Sequence, residues 1–127
     1  MKVALLTNEF PPDIYGGAGI HIQYLSKELR EFCSVEARAF GNQNDTEENL
    51  HALGFSKKLD LSPADSRFSN ILKPLDINLQ WAASLNDIDI LHCHTWYSHF
   101  GGVLASKLLQ KPLILTTHSL EPHRPWK

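Results

Sequence analysis

The segment NEFPPDIYGGAGIHIQYL, residues 8–25, joins an apolar run to an amphipathic one across two prolines and three clustered glycines. The run before it, KVALLT at residues 2–7, is short, apolar and rich in branched side chains, which predicts a strand buried on both faces. After it, from Gly17 to Phe32, the apolar residues Ile20, Tyr24, Leu25, Leu29 and Phe32 recur at helical spacing and predict a helix laid on a sheet. A loop from strand to helix in an open α/β sheet lies at the carboxyl edge, where ligands bind. Unpaired amides and the positive end of the helix dipole favour an anion there, and a residue without Cβ lets phosphate reach the backbone. Gly16-Gly17-Ala18-Gly19 matches neither the dinucleotide fingerprint, which needs a further glycine, nor the P-loop, which needs Gly-Lys-Ser/Thr. Two readings of the cluster stand together: a phosphate cradle, and a turn that packs helix against strand.

Outward from this segment the strand and helix signals alternate. SVEARAF, residues 34–40, predicts a second strand ended by Gly41-Asn42, and TEENLHAL from Thr46 offers a capping residue with a glutamate downstream for a short helix. KKLDL within residues 57–61 reads as an edge strand. Pro63 bars a long helix through it, and a helix begins at Ala64 or Ser69 and runs to Leu85. DIDILHCH then predicts a buried strand, SHFGGVLASKLLQ a helix, and KPLILTTH another buried strand entered through proline. This is the parallel α/β pattern with right-handed crossovers, a Rossmann-like doubly wound sheet.

Composition narrows the function classes. At 127 residues the chain is long enough for one core, and 43% hydrophobic with 20% charged residues is ordinary for a globular protein. Twelve Lys plus Arg against fourteen Asp plus Glu, net −2, supply no broad positive field for nucleic acid or an anionic membrane. Asn8, Glu9 and the prolines interrupt the opening apolar run before a secretory core forms, and no transmembrane run follows. Cys33 and Cys93 sit in apolar stretches rather than a spaced framework, which fits reduced thiols and a cytoplasmic location.

A second constellation is HCHTWYSH, residues 92–99, followed by TTHS, residues 116–119. Both lie at carboxyl ends of strands, so His94 and His118 are expected in the same crevice as the glycine loop. His92 and His94 share a strand face and, with His118, offer the donor set of a metal-dependent hydrolase. Against that, no carboxylate at ligand spacing accompanies them, and His92 reads as packed, with a ring nitrogen on the backbone. Trp96 and Tyr97 either line a sugar face or plug the sheet edge.

LTNEFPPDIYGGAGIHIQYLSKEL, DILHCHTWYSHFGG and TTHSLEPHRPWK together resemble the amino-terminal half of a retaining GT-B glycosyltransferase of the bacterial glycogen synthase type. The likeness runs from the first strand to the last residue and is loose only across residues 42–75. It implies that residues 1–127 form the amino-terminal, acceptor-side Rossmann-like domain, facing a carboxyl-terminal domain that holds ADP- or UDP-glucose. It implies glucose transfer with retention to an α-glucan or to glucose 1-phosphate, with no cofactor and no metal; the charge balance and hydropathy above add the expectation of no nucleic acid and no membrane. Residue by residue, Gly16 and Gly17 match the pair whose amides approach the donor diphosphate. His118 matches the histidine that contacts the transferred sugar and orients it, and His94, Thr95 and Trp96 match a His-Asp-Trp segment. Tyr97, His21 and Glu9 join them as sugar or acceptor contacts, Glu9 and His21 being readable also as solvated or capping residues.

Two departures bear on this. Ile14 stands where some synthases carry lysine two residues before the glycine pair, and Thr95 stands where they carry aspartate. The carboxyl-terminal domain, with its donor-binding cations and paired glutamates, has no counterpart in these residues. A helix terminus contributes about 0.3 to 2 kcal/mol to anion binding, whereas micromolar affinity needs about 8 kcal/mol. The chain is therefore expected to be a fragment that turns over nothing alone, its partners being the nucleotide-sugar donor, the acceptor and the missing domain. A non-catalytic sugar- or nucleotide-binding module is the further alternative.

Overall fold

The computed structural model describes residues 1–120; the end of the third motif, residues 121–127, lies outside the described residues. The elements run β1 (Lys2–Leu6), α1 (Gly17–Leu29), β2 (Ser34–Phe40), β3 (Asn44–Glu47), β4 (Leu50–Phe55), α2 (Ser69–Ser84), β5 (Ile90–His94), α3 (Trp96–Leu109) and β6 (Leu113–Thr116). They form one six-stranded sheet in the order β3-β4-β2-β1-β5-β6. Every pairing is parallel except β3 with β4. The chain moves outward from β1 to β2 and β4, then returns to place β5 on the other side of β1. The direction of winding thus reverses between β1 and β5, and a crevice opens outside their carboxyl ends.

Alternation along β1 sends side chains to two cores. Val3 and Leu5 join Val35, Ala37, Leu50, Ala52 and Ile22 of α1 on one face. Ala4 and Leu6 join Leu91, Cys93, Ile77 and Trp81 of α2, and Ala105 of α3 on the other. With helices on both faces the sheet is doubly wound, as its near-continuous apolar strands require.

Four expectations change. KPLILTTH, expected as a buried strand, is the edge strand β6, with Ile114 and Leu115 exposed. The helix predicted from Thr46 is instead the β3–β4 hairpin, turned at Glu48-Asn49 with Asn49 at φ 58. The cause is Leu50 and Ala52, which alternate into the core beside Val35 and Ala37. Burial on a period of two outweighs a capping pattern made of exposed residues. KKLDL is not a strand: the buried Asp76 carboxylate accepts the Lys58 and Leu59 amides at 2.7 and 2.9 Å and holds that segment as a loop on α2. On α1 the buried line is Gly19, Ile22 and Ser26, with Leu25 and Leu29 beside it, while Ile20 and Tyr24 are exposed, and the helix ends at Leu29, before the exposed Phe32. Small residues let the helix sit close to the sheet, so the apolar count misplaced its inner face by one residue.

The buried polar groups that the patterning passed over are paired. Glu36 bridges Lys2 and Arg38 at 2.8 and 2.5 Å, and Arg38 also donates to Ser84. Burial opposes ionisation of Glu36, but those two cations outweigh it and hold its pKa below the usual carboxylate range. Asn78 accepts from the Gly101 amide and donates to the Pro74 and Tyr97 carbonyls, which joins α2 to α3. Cys33, just before β2, and Cys93, within β5, are both buried free thiols. Among the described residues no helix is long and apolar enough to cross a membrane.

Candidate functional site

The loops after β1, β5 and β6 enclose a cleft of ≈ 990 Å³ at the carboxyl edge, lined by Gly16, Gly17, Thr95, Trp96, Tyr97 and His118 among others. Gly17 and His118, 101 residues apart in the chain, therefore border one space.

The three glycines divide into two kinds. A Cβ at Gly16 or Gly17 would meet nothing within 4 Å, whereas one at Gly19 would overlap Glu9 and press on Ile14. Gly19 is the packing glycine, needed for close approach of α1 to the β1 loop. Gly16 is extended and lies outside the glycine-favouring region, so neither backbone geometry nor neighbours require a glycine there. What remains for Gly16 and Gly17 is open space on the cleft. Glu9 reaches across the loop, and its Oε2 accepts the Tyr15 and Gly16 amides at 3.0 and 3.1 Å. The Gly16 amide is thus engaged by a carboxylate, while Gly17, the first residue of α1, offers the next amide. Glu9 is a loop-capping residue here, the second of the two roles open to it from the sequence.

At the switch point Thr95 takes φ 67 and ψ 160, a region nearly confined to glycine and strained for a β-branched side chain. Its hydroxyl donates to Asn8 Oδ1 at 2.9 Å and its amide to the Thr116 carbonyl at 3.1 Å. Thr95 therefore ties together the exits of β1, β5 and β6. Asn8, the first partner, was not singled out by sequence reasoning, although a polar residue two positions past a buried strand was the available signal. Trp96 and Tyr97 open α3 with their rings stacked at 4.1 Å and 27°; Trp96 is 54% exposed, and Tyr97 is anchored edge-on against Phe40. The pair presents one aromatic plate to solvent.

Four imidazoles converge beside this plate. His94 lies within 5.6 Å, centroid to centroid, of His21, His92 and His118. It is fully buried, so the direct sugar contact expected of it is not open to its side chain. Its Nδ1 instead meets His118 Nε2 at 3.3 Å, and its Nε2 is buried with no partner among the described residues. Burial first, and then the neighbouring His92, His118, His21 and His99, push its pKa down to about 3. His94 is neutral at physiological pH and carries one proton. An unpaired buried acceptor is more tolerable than an unpaired buried N–H, which assigns that proton to Nδ1, donating to His118. His118 then accepts at Nε2 and keeps a proton on Nδ1. It is exposed, and burial followed by His21 lowers its pKa. His21 is exposed on α1 and stacks edge-on to His118 at 5.4 Å, a neighbour of the cleft rather than part of its lining.

His92 Nε2 bonds Thr116 Oγ1 at 2.8 Å, a side-chain partner where the backbone was expected. Turned toward Thr116, it leaves the three-histidine donor set unassembled. Among the described residues no three His, Cys, Asp or Glu side chains are arranged to hold a metal ion.

The family model of Glycosyltransferase Family 4 matches residues 15–127. The chain is 37% identical over 127 residues to an alpha-maltose-1-phosphate synthase of Mycolicibacterium smegmatis, covering 100% of this chain and 30% of that protein. It is 38% identical, with the same coverage, to an alpha-maltose-1-phosphate synthase of Mycobacterium tuberculosis. An uncharacterised glycosyltransferase of Methanocaldococcus jannaschii is 27% identical over 123 residues, 95% of this chain and 32% of that protein. The chain thus spans about a third of the length of these relatives.

Proposed function

The chain belongs to glycosyltransferase family 4, and from that premise we propose that the protein it forms part of moves glucose from ADP- or UDP-glucose to glucose 1-phosphate or an α-glucan with retained configuration. The observation that carries this reading is the empty space at Gly16 and Gly17, which no packing explains, on a cleft shared with His118. In a GT-B arrangement this is the acceptor-side half, and a second domain closes over the cleft with the donor. The alpha-maltose-1-phosphate synthases support glucose 1-phosphate as the acceptor over a glucan.

The roles follow from chemistry. Negative charge develops on the leaving diphosphate as the glycosidic bond stretches. The Gly17 amide, at the positive end of α1, is placed to stabilise that charge more in the transition state than in the ground state. The Gly16 amide contributes once the diphosphate competes with Glu9 for it. His118 donates Nδ1–H to a hydroxyl of the transferred glucose and orients its anomeric carbon. His94 acts through His118, fixing its tautomer from a buried position. Trp96 offers its face to the acceptor ring, Tyr97 supports Trp96, and Thr95 sets the plate and the loops at one angle. His21 screens His118 from the side. The energetic gap between one helix terminus and useful affinity makes the isolated chain inactive. Its two free thiols favour a reducing, cytoplasmic compartment.

The test is transfer by the whole polypeptide from ADP- and UDP-glucose, with the product's anomeric configuration read by NMR. An α-linked product is expected, with kcat falling at least a hundredfold in His118→Ala and KM for the donor nearly unmoved. A β-linked product, or full turnover without His118, overturns the reading.

A further inference from the structure

The loop that carries Glu9 and the cleft glycines is gripped from behind by a residue outside the cleft. Gln43, the last residue before β3, is 6% exposed and does not line the cleft. Its Nε2 donates to the Phe10 carbonyl at 3.0 Å and lies 3.5 Å from both Asp13 Oδ2 and the Phe40 carbonyl. Three oxygens around one end of the carboxamide identify that end as its amino group. The Phe10 carbonyl also accepts the Asp13 amide at 2.9 Å, so the turn from Phe10 to Asp13 closes on the same oxygen that Gln43 holds. Phe10 is buried in the first core, and the residue before it is Glu9, whose carboxylate accepts the Tyr15 and Gly16 amides.

Two glycines make room for this side chain. Gly41 has φ 135, and a Cβ there would come within 2.5 Å of Asp13 Oδ2 and 2.7 Å of Gln43 Oε1. A Cβ at Gly54 would overlap the Gln43 backbone nitrogen and Oε1, and the Gly54 amide donates to the Gln43 carbonyl at 2.7 Å. The socket is fitted to a carboxamide, yet it leaves Oε1 buried with no partner among the described residues. An orphan buried acceptor lowers stability, and an apolar side chain of similar shape would remove it. Without the carboxamide the Phe10 carbonyl would still be paired, with the Asp13 amide. Gln43 therefore adds little to stability; what it adds is one fixed arrangement of the turn.

We propose that Gln43 is a positioning residue for transfer: through the Phe10 carbonyl it fixes the backbone of Glu9, and through Glu9 the placing of the Gly16 and Gly17 amides on the cleft. The inference rests on the transferase reading of that cleft and adds to it a residue that touches neither substrate. A small displacement of the amides matters because their work is done on charge that develops only in the transition state, where stabilisation depends on donors already being in place. Loosening the turn should therefore lower kcat and leave donor binding nearly as it was.

The test is Gln43→Met in the whole polypeptide, a change that keeps the side chain's length and removes the donor, with Gln43→Leu as a second apolar replacement. Gln43→Met should lower kcat at least fivefold while KM for the nucleotide sugar stays within twofold. Hydrogen exchange in peptides covering residues 9–17 should speed up at least tenfold, with the strands of both cores unchanged and the urea midpoint unchanged or raised. Gln43→Leu should repeat this pattern. A lowered midpoint with faster exchange across the core strands would make Gln43 a merely structural residue and overturn the proposal, as would a kcat within twofold of the wild type in both variants. Faster exchange confined to residues 9–17, in a polypeptide that transfers from no nucleotide sugar, would uphold the clamp and remove the transferase reading. Wild-type transfer with unaltered loop exchange in Gln43→Met would do the reverse.

Discussion

A methyl group added at Gly16 or Gly17 would meet no atom within 4 Å, whereas one at Gly102 would overlap Cys93 Sγ and one at Gly101 would come within 2.8 Å of Asn78 Oδ1. Gly16-Gly17 opens α1 and Gly101-Gly102 lies midway along α3; both were visible in the sequence as Gly-Gly pairs. The second pair lets α3 lie against β5 and α2, where any side chain is excluded by protein. At the first pair nothing among the described residues does the excluding, and the space is open to whatever enters the cleft. A glycine pair thus reports close approach in both cases, and only the surroundings tell whether the approaching group is the fold's own.

The largest effect is expected at the packing pair. Gly102→Ala should gain about 1 kcal/mol of helix propensity, yet overpacking against β5 costs about 1 to 3 kcal/mol and more where backbone must shift. A net loss of up to about 2 kcal/mol in urea denaturation is expected, with most of it recovered in Cys93→Ala/Gly102→Ala, because the partner atom is gone. A loss that Cys93→Ala leaves untouched would mean that Gly102 is needed for something other than the thiol. The thiol itself stays protonated, since burial pushes its pKa up to about 12.

β5 separates the two pairs, with Cys93 turned to the packing pair and His94 toward the cleft side. His94 is neutral in the fold with a pKa of about 3, while in the unfolded chain it titrates at the ordinary value of 6.5. As pH falls below 6.5 the unfolded state takes up a proton that the native state refuses. The stabilisation present above 6.5 is then lost at about 1.4 kcal/mol per pH unit. Between pH 7 and 5 the chain should lose about 2 kcal/mol from His94 alone, with His92 and His118 shifted in the same direction. His94→Asn should flatten that slope, and a slope unchanged by the substitution would place the titration elsewhere.

At the cleft pair the signs reverse. Gly17→Ala should leave stability unchanged or raise it by about 0.4 to 1 kcal/mol, because Ala fits the first helical position and narrows the unfolded ensemble. On the proposed reading, transfer by the whole polypeptide should fall about tenfold, since a Cβ would stand where the diphosphate is proposed to approach the amide; tenfold corresponds to about 1.4 kcal/mol. Stability lost together with activity would make Gly17 another packing glycine and erase the contrast.

The period of the apolar residues carried most of the fold into view. β2 was delimited to the residue, and α2 and α3 to within a few, because their buried faces are sustained over several turns. The β3–β4 hairpin was not, because TEEN is polar and the alternation of Leu50 and Ala52 has meaning only once Val35 and Ala37 lie beside them. At the site, sequence placed Gly16, Gly17 and His118 on one edge but could not tell that Glu9 already holds one amide, nor that His94 faces inward. Both depend on contacts between separate loops.

The smallest effect, and the one that joins both glycine pairs, concerns Thr95, which holds a glycine-like conformation without being glycine. Strain of this kind costs about 1 to 3 kcal/mol, and the hydrogen bond to Asn8 offsets about 1 kcal/mol of it. Thr95→Gly removes strain and hydrogen bond together and adds about 0.5 to 1 kcal/mol of unfolded-state freedom, so the net change should lie between a loss of about 1 and a gain of about 1.5 kcal/mol. Thr95→Val keeps the strain and loses only the bond, and should cost about 1 kcal/mol. Both should lower transfer severalfold, because the bond from Thr95 to Asn8 is what sets the β1 loop, with Gly16 and Gly17, at a fixed angle to the aromatic plate. If Thr95→Gly proves clearly destabilising while Thr95→Val is neutral, the backbone at Thr95 is held for stability rather than for the site, and the cleft pair is positioned by Glu9 alone.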